Sequence, residues 1–160
     1  MASRTVRPST RRALDAEEMA AWRAFVLANA RIVKLLQAEL EDEQGLSLPA
    51  YECLVRLSEA GDGRMRMSDL ATVATLTPSG LTRLVDKLVA DGLVERVRCE
   101  SDARVVYAAI TPAGTQRLKD AYPTHLRGVR QHFIDRLTPT QLASLHTALA
   151  PLVSGCPTES

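Results

Sequence analysis

At 160 residues, with 46% hydrophobic and 24% charged side chains, the chain has the make-up of one globular domain long enough to bury a core. Its formal net charge is only +1. Over residues 64–104, seven Arg or Lys (64, 66, 83, 87, 96, 98, 104) stand against six Asp or Glu (69, 86, 91, 95, 100, 102), so a nucleic acid would have to be held by placed cations and not by a basic surface overall. No apolar run approaches membrane-spanning length, the N-terminus lacks the apolar core of a signal peptide, and Cys53, Cys99 and Cys156 are odd in number and widely spaced; these features suit reduced thiols in a cytoplasm.

Residues 1–14 form a flexible basic arm, with Arg4, Arg7, Arg11 and Arg12 preceding any acid. Such an arm is either simply solvated or touches phosphates beside a main site. One long helix is predicted from about Ala16 to Gln44, with Trp22, Phe25, Val26, Ile32, Val33, Leu36 and Leu40 at helical spacings. Glu39, Glu41, Asp42 and Glu43 crowd its end, where negative charge opposes the helix dipole, so fraying beyond Leu40 is expected before Gly45 stops it. Trp22 reads as core or subunit interface, or else as one wall of a ligand pocket. Ser47 caps a second helix over Leu48 to Ala60, with Tyr51, Leu54, Val55 and Leu57 inward and Cys53 a small buried side chain. The turn Gly61-Asp62-Gly63 leads into a short strand, Arg64 to Met67.

Two helix patterns with a very short break follow, over Ser68 to Leu76 and then from Thr77-Pro78. Threonine accepts an orphan N–H, and proline at the first helical position forfeits nothing. In the second pattern Leu81, Leu84, Val85, Leu88 and Val89 make one buried stripe. The opposite face carries Ser79, Thr82, Arg83, Asp86 and Lys87, and Asp91-Gly92 ends the helix. These residues alone fit a major-groove reader or an ordinary helical hairpin. Leu93 to Val97 and Val105 to Ile110 then read as strands joined by a polar tip, Cys99 to Arg104, which makes a wing. An arginine at position 104 suits the negative potential of a minor groove, and Asp102, two residues away, could hold its guanidinium.

Thr111-Pro112 and Thr138-Pro139 repeat the same start signal, the latter with Gln141 at the capping-box position. Pro123 is expected to kink the Thr111 helix or restart it near Tyr122. Leu126, Val129, Phe133, Ile134 and Leu137 form one apolar face; Leu142, Leu145, Leu149, Leu152 and Val153 form another. The long first helix and these terminal helices carry more apolar surface than a small winged module can cover, which points to subunit pairing. The fold class is mainly α with a small β-wing: a dimerisation helix over 15–44, a winged helix-turn-helix over 45–110, C-terminal dimerisation helices over 111–154 and a tail over 155–160.

The segments Met67 to Ala71 (MSDLA), Ser79 to Leu88 (SGLTRLVDKL), Asp91 to Val94 (DGLV), Asp102 to Arg104 (DAR) and Ile110 to Gly114 (ITPAG), in this order and spacing, resemble the winged helix-turn-helix of the MarR family of bacterial transcriptional regulators. With the flanking helices, the resemblance extends over residues 15 to 154. It implies a homodimer on a near-palindromic operator in double-stranded DNA, repressing in most members and released by a small phenolic or otherwise amphipathic effector or an oxidant. It further implies base-edge contacts from Ser79, Thr82 and Arg83, phosphate contacts from Lys87, Arg96 and Arg98, and Arg104 in the minor groove braced by Asp102. Asp86 would orient Arg83 or Lys87. The implied pocket lies where the first helix, the Ser47 helix and the Thr111 helix meet the winged module, with Trp22, Arg31 and Tyr51 as candidate lining.

No phosphate-cradling glycine loop, nucleophile elbow or paired-cysteine zinc spacing is present, so neither an enzyme nor a bound cofactor is expected. His125, His132 and His146 are too far apart in sequence to form a local metal pair. Cys99 lies between Arg98 and Glu100, whose charges oppose each other, so it reads as an incidental thiol or else as one whose bulky adduct would tilt the wing and loosen DNA. Oxidant-sensing members usually keep their cysteine near the start of the first helix, where this chain has none. The competing function is a winged-helix module that binds protein instead of DNA. Such a face would favour exposed aromatic or aliphatic side chains over Ser79, Thr82, Arg83, Lys87 and Arg104.

Overall fold

The structure, a computed structural model, describes residues 12–74, 76–99, 102 and 104–153. The basic arm up to Arg11, tip residues Glu100, Ser101 and Ala103, and the tail from Ser154 with Cys156 lie outside the described residues. Helix α1 spans Ala16–Gln44 and α2 spans Leu48–Glu59. Strand β1 (Arg64–Arg66) leads into α3 (Met67–Val73) and α4 (Pro78–Ala90). Strands β2 (Val94–Arg98) and β3 (Val106–Ile110) precede α5 (Pro112–His132), a 3-10 turn at Ile134–Arg136, and α6 (Pro139–Val153). The sheet is antiparallel with β3 in the centre; Tyr107 lies opposite Arg66 on β1 and Val97 on β2.

The core gathers under the winged module. Leu40, Cys53, Leu54, Leu57, Leu70, Val85 and Ala108 are fully buried there. Burial pushes the Cys53 thiol up to about 11, as expected of a packing cysteine. On α4 the stripe is narrower than its spacing suggests, because Leu81, Val85 and Leu88 are buried while Leu84 is half-buried and Val89 is exposed.

Helix α1 does not fray beyond Leu40. It continues to Gln44 and closes on Gly45 at φ 59, a left-handed cap that glycine adopts without strain. The acidic end is met by α5: Glu43 pairs with Arg127 and accepts from Thr124 Oγ1, and Glu39 meets His132 Nε2 at 2.5 Å. Gln44 donates to Thr124 Oγ1 and accepts from Arg117. These tertiary partners outweigh a dipole effect of typically 0.3–1 kcal/mol, roughly.

Nor does α5 restart near Tyr122. It runs through Pro123 as one helix, with Ala121, Thr124 and Gly128 buried on both sides of the proline. Packing against α1 and α2 offsets the roughly 3 kcal/mol that an interior proline costs. Two glycines let α5 lie close to its neighbours. A Cβ on Gly114 would fall far inside van der Waals contact with the Leu93 carbonyl oxygen and 2.9 Å from Ile110 Cγ1. One on Gly128 would lie 2.7 Å from Leu36 Cδ2 and 2.5 Å from Glu39 Oε2.

The Tyr51 and His125 rings meet at 4.4 Å, and His125 Nδ1 is buried with no hydrogen-bond partner. Burial holds the His125 pKa below its ordinary value. The unfolded chain therefore binds this proton more readily, so the contribution is intact above the ordinary histidine pKa of about 6.5 and is lost as pH falls from there through the lowered folded value. His125→Phe, which keeps a ring against Tyr51, should shrink the drop in Tm between pH 7.5 and 5.5. An equal drop in both proteins would exclude His125 as the source.

The apolar surplus is visible. Trp22 is 57% exposed and Leu27 69%, Phe25, Val26 and Val33 are also exposed, and α6 has no buried residue. Trp22 is therefore not part of the protomer core. No described helix is long and apolar enough to cross a membrane.

Candidate nucleic-acid interface

The site is built on the α3–α4 pair and the wing. Thr77 Oγ1 accepts the Gly80 N–H at 3.1 Å and Pro78 opens α4, so the start of α4 is fixed locally. Leu81, Val85 and Leu88 bind the helix to the core, which turns Ser79, Thr82, Arg83, Asp86 and Lys87 outward; all five are exposed. Thr82 Oγ1 donates back to the Pro78 carbonyl at 2.8 Å. Its hydrogen is thereby engaged, and the side chain presents a methyl group and acceptor lone pairs, a combination suited to a thymine methyl or a base amino group.

Asp86 takes neither Arg83 nor Lys87. Its carboxylate pairs with Arg96 on β2 at 2.7 Å and so links α4 to the base of the wing. This pair is exposed and contributes geometry more than stability. Asp102 also differs from expectation: its Oδ1 accepts the backbone N–H of Arg104 at 2.9 Å, and its carbonyl accepts the N–H of Val105. The carboxylate therefore shapes the tip backbone, in an Asx-type turn, and sets where Arg104 projects. Below the tip, the Cys99 N–H donates to Val105 O. Arg98 closes β2 opposite Val106, exposed like Arg104.

Between α4 and the wing runs a groove lined by Arg66, Ser68, Thr82, Arg96, Arg104 and Val106. The sequence reading missed Arg66 as a site residue. The alternation Arg64-Met65-Arg66 was the available signal, since it sets both arginines on one face of β1. That face also carries Tyr107, whose ring centroid lies 5.2 Å from Arg64 Cζ and 6.0 Å from Arg66 Cζ. Arg64 is held by Asp62 at 2.6 Å, whereas Arg66 Nε donates to Tyr107 Oη at 3.4 Å.

The candidate effector residues do not converge within one protomer. Tyr51 is buried against His125, while Trp22 and Arg31 are exposed on α1, with Trp22 beside Phe25. Nine residues along a continuous helix place Trp22 and Arg31 on opposite faces. Among the described residues, no group of three His, Cys, Asp or Glu could hold a metal ion.

A helix pair with a capped second member, an outward cation-bearing face and a β-wing define a winged helix-turn-helix protein. The MarR family model matches residues 46–106. Over nearly the whole chain the fold is that of AbsC, a MarR family transcriptional regulator from Streptomyces coelicolor, at 38% identity and a TM-score of 0.82, covering 90% of this chain and 97% of that one. Sco3205, a MarR family transcriptional regulator from the same organism solved in complex with DNA, is 36% identical with a TM-score of 0.83, covering 89% of this chain and 93% of that one. The HTH-type transcriptional repressor YetL of Bacillus subtilis is 33% identical over 82 residues, 51% of this chain; the match spans about half of YetL, 49% of its length. The chain belongs to the MarR family of transcriptional regulators; it is not an enzyme.

Proposed function

We propose that the protein is a DNA-binding repressor that holds a near-palindromic operator as a homodimer and is released by a small-molecule effector. The observation that carries this reading is the joint exposure of Ser79, Thr82, Arg83 and Lys87 on α4 and of Arg104 on the wing, with no exposed aromatic side chain on that face among the described residues. A protein-binding winged helix would need the opposite composition. Each α4 enters a major groove, with Ser79, Thr82 and Arg83 at base edges, and Lys87, Arg96 and Arg98 on phosphates. Arg104 enters the minor groove, and half-sites lie about 34 Å apart. Sco3205 in complex with DNA supports the partner, and the repressor YetL supports the sign of regulation.

The exposed apolar residues of α1, together with Leu126, Leu152 and Val153, supply the dimer interface. Because Trp22 and Arg31 face apart, an effector pocket that uses both must be completed by the second subunit, near Tyr51. Sedimentation should find a dimer at micromolar concentration, and a well-folded monomer would overturn the assembly. Binding to DNA from upstream of the protein's own coding sequence should weaken with salt. Six phosphates give a slope of log K against log salt near −5, roughly, made steeper by any further phosphate contact. A slope near zero would favour the protein-binding alternative.

A further inference from the structure

We infer that the groove between α4 and the wing is the channel for one DNA strand, and that Arg66, positioned by Tyr107, is a phosphate ligand within it. The inference rests on the operator-binding reading and adds to it a residue and a platform. If α4 occupies a major groove and the wing tip the adjoining minor groove, the backbone that separates those grooves must pass between them. The lining there is suited to a polyanion: Arg66, Arg96 and Arg104 converge with the Ser68 and Thr82 side chains, and no carboxylate among the described residues lines the groove. Two neighbouring acids act from outside. Asp86 engages Arg96 at 2.7 Å, and Asp102 accepts the backbone N–H of Arg104 at 2.9 Å.

Arg66 and Arg64 share a face but not a task. Arg64 is taken up by Asp62 and lines a different hollow, with Arg56, Glu59 and Asp69. No described carboxylate forms an ion pair with Arg66; its Nε is used by the Tyr107 hydroxyl and its plane lies near the Tyr107 ring. This arrangement leaves both terminal amino groups of the guanidinium for phosphate oxygens, while the neutral tyrosine limits side-chain wandering without neutralising the charge. Tyr107 is opposite Arg66 in the sheet register, so strand pairing itself fixes the platform.

The test uses the full chain and a duplex operator defined by footprinting, with affinity read by anisotropy from 50 to 300 mM salt, roughly the range in which phosphate contacts dominate the salt response. Arg66→Ala should weaken operator and unrelated duplex DNA alike, roughly tenfold, and make the salt slope shallower by about 1.8, two phosphates per dimer. Tyr107→Ala should reproduce part of this loss, and Tyr107→Phe should recover most of it by restoring the ring. The Arg66→Ala/Tyr107→Ala double variant should bind no worse than Arg66→Ala alone. Unchanged thermal unfolding of Arg66→Ala would attribute the defect to the lost contact. An Arg66→Ala protein with unaltered affinity and slope, beside an Arg104→Ala protein that binds poorly, would overturn the channel and leave operator binding standing. Failure of the unsubstituted protein to bind any duplex would overturn both.

Discussion

Gly114→Ala should cost about 3 kcal/mol of stability, the upper end for forced overpacking, and lower the denaturation midpoint accordingly. Gly114 sits in the first turn of α5, where Thr111 is bonded three ways. Its N–H donates to Leu93 O at 3.1 Å, its hydroxyl donates to Gly92 O at 2.8 Å, and the same oxygen accepts the Gly114 N–H at 3.0 Å. These bonds draw α5 onto the chain entering β2, so the methyl of alanine would press on backbone and could not be accommodated by a rotamer change. Gly61→Ala is the matched control, because a Cβ there meets nothing within 4 Å. Chemical denaturation of the two variants should separate them clearly. A Gly114→Ala midpoint equal to that of Gly61→Ala would show that the approach of α5 to Leu93 relaxes freely.

On the DNA side, Arg104→Ala should weaken operator binding by about 1–3 kcal/mol, the scale of a single specific groove contact, with little change in Tm because the tip is exposed. Asp102 divides two explanations of the wing. If its carboxylate serves the backbone, as its bond to the Arg104 N–H indicates, Asp102→Asn keeps an acceptor in place and should bind at least as tightly, with one negative charge fewer near phosphate. Asp102→Ala, which removes the acceptor, should lose affinity, though less than Arg104→Ala. Equal losses in Asp102→Asn and Asp102→Ala would mean that the charge is what matters, and that it acts on the guanidinium after all. Unchanged affinity in Arg104→Ala and Asp102→Ala would remove the wing from the DNA interface.

The elements were legible where their signals are local. The threonine–proline starts at 77, 111 and 138 each precede an observed helix, and the α4 stripe follows its spacing at Leu81, Val85 and Leu88, though not at Val89. What sequence could not supply were partners distant along the chain. The acidic end of α1 looks unstable until Arg127 and His132, from α5, are set beside it. Pro123 looks like a break until Ala121 and Thr124 are seen to be buried. In the site, α4 announced its outward residues, but the Asp86–Arg96 pair and the Arg66–Tyr107 pair join separate elements and become apparent only once the sheet register is known.

Gly114 and Gly128 lie fourteen residues apart on one uninterrupted helix, about 21 Å along its axis. One is seated on the Leu93 carbonyl at the root of the wing, the other on Leu36 and Glu39 of the long helix. Between these two bearings α5 works as a connecting rod. A tilt of α1, where a second subunit would grip, would be carried along α5 toward the root of the wing. On the effector-release reading proposed above, a ligand that changed the angle between the long helices would alter the spacing of the reading heads without any rearrangement inside the winged module itself.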